Sequence, residues 1–359
     1  MGQIREYKCP SCGGVLHFDS TLQKMRCEYC GTELEVEAVE EYNEQLNDER
    51  PDSFNWDIET GSEWAADENS NMRTYLCESC GGEIMADEST AATSCPFCGS
   101  PVVLMEQVTG ALRPDFVIPF KLDKEAAKEA YRNHLKGKIL LPKQFKDENH
   151  IDEIKGMYVP FWLFDASAEA MARYQGTRTT TWQDRNYIYT RTSYYSIFRD
   201  GQMKFEHVPA DGSSRMADDM MEAIEPFNFD EAVDFKTAYL SGYLADRYDV
   251  SAEESIGRAN ARIRESADQM LRSTIGAYAT LNKVNSSIRI SEGHSSYALY
   301  PVWLLSSTWH DQPYVFCMNG QTGKMVGDLP ADTRKLWIWR AAIAVVSFII
   351  LYIIAWLLI

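Results

Sequence analysis

The longest apolar run in the chain lies at its far end. Residues 341–359 carry no charge, and Ser347 is their only notable polar interruption. As a helix rising about 1.5 Å per residue, these nineteen residues would span roughly 28 Å, close to the hydrocarbon thickness of a bilayer. Trp337 and Trp339 stand just before the run and Trp356 near its far end, which are interfacial positions. A transmembrane helix is predicted over residues 336–359. Arg334, Lys335 and Arg340 flank its N-terminal side and no charge follows, so the positive-inside rule predicts a cytosolic location for the preceding chain.

The periodicity upstream is mixed, and residues 106–332 read as an α+β domain. Asp123 can cap a helix running to about Leu135. Ser251 and Glu254 have capping-box spacing ahead of a longer helix, roughly residues 252–282. Aromatic and Thr-containing stretches such as residues 186–198 read as strands. Asn319-Gly320 and Thr322-Gly323 mark turns before a last strand. Tyr158-Val159-Pro160-Phe161-Trp162-Leu163 resembles Leu299-Tyr300-Pro301-Val302-Trp303-Leu304, which suggests two related halves. The prolines point to strand starts or edges, and the aromatic residues read as core.

Residues 33–70 break this pattern. They hold fourteen Asp and Glu against Arg50 alone, a net −13, with few β-branched residues. That composition predicts a disordered or loosely held linker, assigned to residues 35–71. Trp56 and Trp64 stand inside it. They either pack on a neighbouring domain or form an acidic-aromatic motif for a partner.

Eight of the nine cysteines form four C-x2-C pairs: Cys9/Cys12, Cys27/Cys30, Cys77/Cys80 and Cys95/Cys98. Each group of two pairs reads C-x2-C-x14-C-x2-C, and the second repeats the first at an offset of 68 positions (Cys9 to Cys77, Cys30 to Cys98). Two intervening residues let both thiolates reach one ion from a tight turn, and two turns complete a four-thiolate Zn2+ site. A glycine follows each pair (Gly13, Gly31, Gly81, Gly99), free to take the positive φ that closes the turn. Two zinc ions in two small rubredoxin-like ribbons are predicted, over residues 1–34 and 72–105. Four thiolates leave no open position for substrate, so a structural role is expected over a redox one. Cys317, in an apolar stretch, reads as a buried strand residue.

Charge and motif content narrow the function. The net charge is −18, the wrong sign for phosphate neutralisation. Residues 1–32 hold Arg5, Lys8, Lys24 and Arg26 against Glu6, Asp19 and Glu28, which is +1; residues 72–103 hold Arg73 against Glu78, Glu83, Asp87 and Glu88, which is −3. Neither makes a basic footprint. No apolar h-region opens the chain, so the cysteines are expected in a reducing compartment as metal ligands rather than disulfides. The histidines form no H-E-x-x-H, and no phosphate-loop, G-x-G-x-x-G or G-x-S-x-G pattern is complete. No catalytic residue and no small-molecule substrate is assigned.

Cys9-Pro10-Ser11-Cys12-Gly13-Gly14 and its partner knuckles resemble zinc ribbons of the transcription-factor-IIB type and those of the replication-restart helicase PriA. Paired ribbons, the acidic segment, the Pro-x-Trp-Leu strands, the Asn-Gly-x-Thr-Gly-Lys hairpin and the apolar tail together resemble the YdjG-like bacterial membrane proteins. That resemblance implies a place beside proteins like phage-shock protein A or carrying SPFH domains, in a membrane-stress or scaffold role, with no catalytic residues. The expected function is a membrane-anchored adaptor with protein partners. The alternative is a membrane-tethered nucleic-acid or transcription regulator acting through the ribbons.

Overall fold

The computed structural model describes residues 7–47, 51–58, 61–62, 64, 72–87, 90, 94–104, 112–310 and 312–358. In chain order the elements are β1 Leu16–Asp19, β2 Lys24–Cys27, β3 Glu33–Leu34, α1 Val36–Asn47, β4 Ser53–Asp57, β5 Met72–Leu76, β6 Glu83–Asp87, β7 Val103–Leu104 and β8 Phe116–Val117. They continue with α2 Lys124–His134, α3 Glu148–Ile151, β9 Lys155–Gln183, β10 Ile188–Asp211, α4 Asp218–Ala223, β11 Val233–Asp234 and β12 Leu244–Asp246. The last are α5 Ala252–Ser273, β13 Thr280–Trp309, β14 Gln312–Asn319, β15 Met325–Gly327 and α6 Thr333–Leu358. The class is α+β, as expected. Two compact units share the chain: Met1–Ile58 with Phe164–Val208 and Gly257–His294, and Glu59–Leu163 with Pro209–Ile256 and Ser295–Ile359.

The first unit contains the antiparallel β1–β2–β3 sheet and a second core built on β9. Ala166, Ala168, Ala170, Ala172 and Tyr174 alternate along β9, so their side chains share one face. Ile263, Ala267 and Leu271 recur every fourth residue of α5 and pack in the same cluster with Ile288 and Ile290 of β13. Small residues on the strand give the helix room to approach.

The segment expected to be a loose linker is structured where it is described. It forms α1 and β4, and β4 pairs in parallel with β13, Ile290 opposite Phe54. Asp52 accepts the Ile288 N–H at 2.9 Å and pairs with Arg264. Trp56 meets Phe164 edge-on at 5.3 Å, and its ring N–H donates to Asn260 Oδ1 at 3.0 Å. At Gly293 a Cβ would fall 2.4 Å from Trp56 Cε3, so only glycine fits beneath that ring. Composition misled because Glu33, Glu35, Glu37 and Glu40 are exposed, while the apolar residues find partners far away in sequence.

In the second unit, β5–β6 form a hairpin, β6 pairs antiparallel with β12, and β12 runs parallel to β9. β13 pairs antiparallel with β14, and β14 with β15. Val302 and Leu304 of β13 enter one core, and Trp303 and Leu305 enter another with Ala127 and Tyr131 of α2 and Leu135 at its C-cap. Cys317 is fully buried in β14, as expected, and burial pushes its thiol pKa up. Trp64 packs edge-on against Phe235 at 5.7 Å.

Both predicted helix starts form. Asp123 Oδ1 accepts the Ala126 N–H at 2.9 Å. Ser251 and Glu254 exchange bonds, the Glu254 N–H to Ser251 Oγ at 3.3 Å and the Ser251 N–H to Glu254 Oε2 at 2.8 Å. The longer helix ends at Ser273, not near 282. There the Ser273 and Thr274 hydroxyls bond the Met270 and Leu271 carbonyls, and the Ala279 N–H is taken by Thr177 O.

The two hexapeptides seen in the sequence make matching contacts. Trp162 Nε1 donates to Val250 O at 2.8 Å, and Trp303 Nε1 to Leu122 O at 3.0 Å. Each acceptor directly precedes a helix cap, Ser251 or Asp123. Gly212 N donates to Pro160 O and Gly320 N to Pro301 O, both at 2.8 Å. Gly212 O accepts from Asp249 and Val250, and Gly320 O from Lys121 and Leu122. Asp211 and Asn319 each close a turn onto the N–H two residues on. Trp162→Phe and Trp303→Phe are therefore expected to destabilise by similar amounts, about 1–3 kcal/mol each, because each leaves a partly buried carbonyl without its tryptophan donor. Urea unfolding of both variants checks this; a marked inequality would show that the two contacts are not equivalent.

The C-terminal helix α6 is long and apolar enough to cross a membrane: Thr333–Trp356 qualifies over 24 residues, none of the span buried. Asp332 Oδ1 accepts the Arg334 N–H at 2.9 Å and caps its start.

Candidate metal centres

All four cysteine pairs fold into the same turn. The N–H four residues after the first cysteine returns to that cysteine's carbonyl: Gly13 to Cys9, Gly31 to Cys27, Gly81 to Cys77, Gly99 to Cys95, at 2.7–3.0 Å. The cysteine's own N–H bonds the carbonyl five residues on: Gly14, Thr32, Gly82 and Ser100. The four glycines sit at φ between 71° and 77°. A side chain there would strain the turn, which is why glycine follows each pair.

The turns bring the eight predicted residues into two groups. Cys9 Sγ lies 3.7 Å from Cys30 Sγ, and Cys12 Sγ 3.4 Å from Cys27 Sγ. In the other group Cys77–Cys98 and Cys80–Cys95 are each 3.6 Å apart. Within each group all four sulfurs lie within 4.8 Å of one another. Metal–sulfur arms of about 2.3 Å in a tetrahedron need edges of about 3.8 Å. Both groups could hold a metal ion with little adjustment.

In each group a polar neighbour favours the thiolate form at one cysteine, while burial pushes Cys80 and Cys95 up. The Thr32 hydroxyl, 3.1 Å from Cys30 Sγ, brings that thiol down to about 6. At Cys98 burial opposes ionisation, but the Ser100 side chain and N–H outweigh it and bring the thiol to about 6. Thr32 and Ser100 correspond under the 68-residue offset, a signal in the sequence that motif reading passed over. Lys155 and Arg215 carried no such signal. Lys155 Nζ reaches Ser94 O at 2.8 Å beside the second group; burial lowers its pKa, and the charge of Cys95 opposes that. Arg215 Nη2 donates to Gly81 O at 2.7 Å while Nη1 pairs with Asp249.

The groups differ in what surrounds them. Cys9 and Cys27 share a small core with Leu16, Met25 and Val39. Cys77 and Cys95 are buried in the large core of the second unit, with Ile84, Met157, Val159 and Leu244.

No protein-family model matches the chain, and no solved structure matches it. The chain is 34% identical over 352 residues to the uncharacterized protein YdjG of Bacillus subtilis (strain 168), an alignment covering 98% of each. At that identity and coverage the chain belongs to the YdjG family.

Proposed function

We propose that this protein is a non-enzymatic adaptor, anchored by α6 with its bulk in the cytosol, that gathers protein partners at the inner face of a bacterial membrane. The observation that carries the reading is the apolar helix Thr333–Trp356, none of whose span is buried, on a chain whose cysteine groups are closed four-thiolate sets. Such sets suit Zn2+ and leave no position for a substrate, so the ions hold ribbons of the transcription-factor-IIB type together. Arg334, Lys335 and Arg340 support the cytosolic orientation. By the family resemblance, the partners are phage-shock-protein-A-like or SPFH-type proteins in an envelope-stress role.

The matched contacts around Trp162 and Trp303 support reading residues 106–332 as a duplication in which each half's helix start is completed by the other half's strand and turn.

The exposed acids before and on α1 are the working surface in this reading. Glu33→Lys, Glu37→Lys and Glu40→Lys together reverse charge without touching the buried Val39. Affinity purification from detergent-solubilised membranes, with and without nuclease, is the measurement. The triple variant is expected to lose its protein partners at least tenfold while staying in the membrane fraction. Undiminished recovery, or recovery that nuclease abolishes, would count against the adaptor reading.

A further inference from the structure

The hairpin joining β9 to β10 stands clear of its core. Across residues 178–196 every side chain is exposed except the half-buried Ser193. The apex carries Tyr187, 66% exposed, and Ile188, 69% exposed, with Trp182 at 50% just below. Tyr189, Tyr194 and Tyr195 are also exposed large side chains.

These residues are held in place. Asp184 Oδ1 accepts the N–H groups of Asn186 and Tyr187, each at 2.9 Å, and Oδ2 accepts the Tyr189 hydroxyl at 3.1 Å. Trp182 stacks on Tyr189 with ring centroids 5.6 Å apart and planes 12° apart. Arg178 lies over the Tyr195 and Tyr278 rings. A two-stranded ribbon with both faces in water has little to stabilise it, and a clustered aromatic surface of this kind marks an interaction site.

Charge selects the partner. Residues 178–196 hold Arg178, Arg185 and Arg191 against Asp184, a net +2, within a chain of net −18. Trp and Tyr side chains settle at the headgroup level of a bilayer, and arginines near an anionic surface add about 1 kcal/mol each. Nucleic acid also pairs bases and phosphates with aromatic and basic side chains, but a local +2 is a weak footprint for it.

We propose that this tip is a second membrane contact, seating Tyr187 and Ile188 among the headgroups of anionic lipid. It rests on the anchoring reading in one respect: a chain already tethered by α6 meets the bilayer at high effective concentration, so a weak contact suffices.

The test uses the full chain in vesicles of equal parts phosphatidylglycerol and phosphatidylcholine. A photo-crosslinking benzophenone amino acid replaces Tyr187, Trp356 or Ile139 in separate preparations. Trp356 reports the anchor, and Ile139, 58% exposed, reports chance encounters. Lipid adducts are expected at Tyr187 and Trp356 and not above background at Ile139. The Tyr187 yield is expected to fall about fivefold with either Arg185→Gln or Arg191→Gln, and to fall likewise in pure phosphatidylcholine. Adducts at Tyr187 without any at Trp356 would support the tip and remove the anchor. Adducts at Trp356 with Tyr187 no better than Ile139 would remove the tip and keep the anchor. Crosslinks from Tyr187 to a second copy or to added nucleic acid in place of lipid would also overturn the proposal.

Discussion

Replacing Cys77 with serine is expected to unfold the second unit, whereas replacing Cys9 is expected to be a local injury. Either change removes one thiolate from a four-thiolate set, and metal content should fall from two ions per chain to one in both cases. The consequences differ because the surroundings differ. Cys77 lies in the core with Ile84, Met157, Val159 and Leu244, so losing its ion leaves unpaired thiols against the core of a large unit. Apparent metal-binding energies of about 10–16 kcal/mol at structural zinc sites match or exceed the whole stability of a typical domain, about 5–15 kcal/mol. Among the described residues Cys9 lies in a small cluster with Leu16, Met25, Cys27 and Val39, flanked by the half-buried Tyr7, Leu34 and Val36, and a cluster of that size can open alone. Metal analysis with thermal melting of the two variants checks this. Cys77→Ser should lose its cooperative transition or precipitate, while the main transition of Cys9→Ser should move by only a few degrees. Equal damage from both changes would mean that the first cysteine group supports more than its own small cluster.

The double change Val345→Arg and Ile349→Arg is expected to release the protein from membranes. Both residues are exposed in the middle of α6. An arginine at the centre of a spanning helix costs about 2.5–3.5 kcal/mol, so two cost about 5–7 kcal/mol. Extraction of membranes at alkaline pH, which strips proteins held only at the surface, separates the outcomes. The native chain and a Val345→Leu, Ile349→Leu control should stay in the pellet; the arginine variant should not. An arginine variant that resists extraction would show that α6 does not span the bilayer.

What could be read from the sequence was local. A C-x2-C turn closes within six residues, so the cysteine groups and the glycines at positive φ were visible in the spacing. The helix starts at Asp123 and Ser251 were visible for the same reason, since caps bond within three residues. Contacts distant in the chain were not visible. Trp56 bonds Asn260 across 204 positions and Asp52 bonds Ile288 across 236, so an acidic stretch that looked unstructured gained a helix and a strand. The lengths of β9 and β13, 29 and 30 residues, were hidden because β9 passes from a buried to an exposed surface along its course and β13 from an exposed to a buried one. The end of α5 was overestimated because its apolar period fades gradually, while hydroxyl side chains at Ser273 and Thr274 stop it.

The reciprocal contacts around the two tryptophans have a consequence for how the protein is made. The ribosome delivers α2 early, yet the ring that bonds the carbonyl before its cap is Trp303, 181 positions later. Its second partner, Gly320, follows later still. The start of α2 therefore stays incomplete through about half of translation, and Thr333 follows Gly320 by only thirteen positions. Completion of the fold and emergence of the apolar helix fall at nearly the same moment of synthesis. A nascent chain stalled before Trp303 would be a client for chaperones, and slow codons there would bear on the release of the apolar helix as much as on folding.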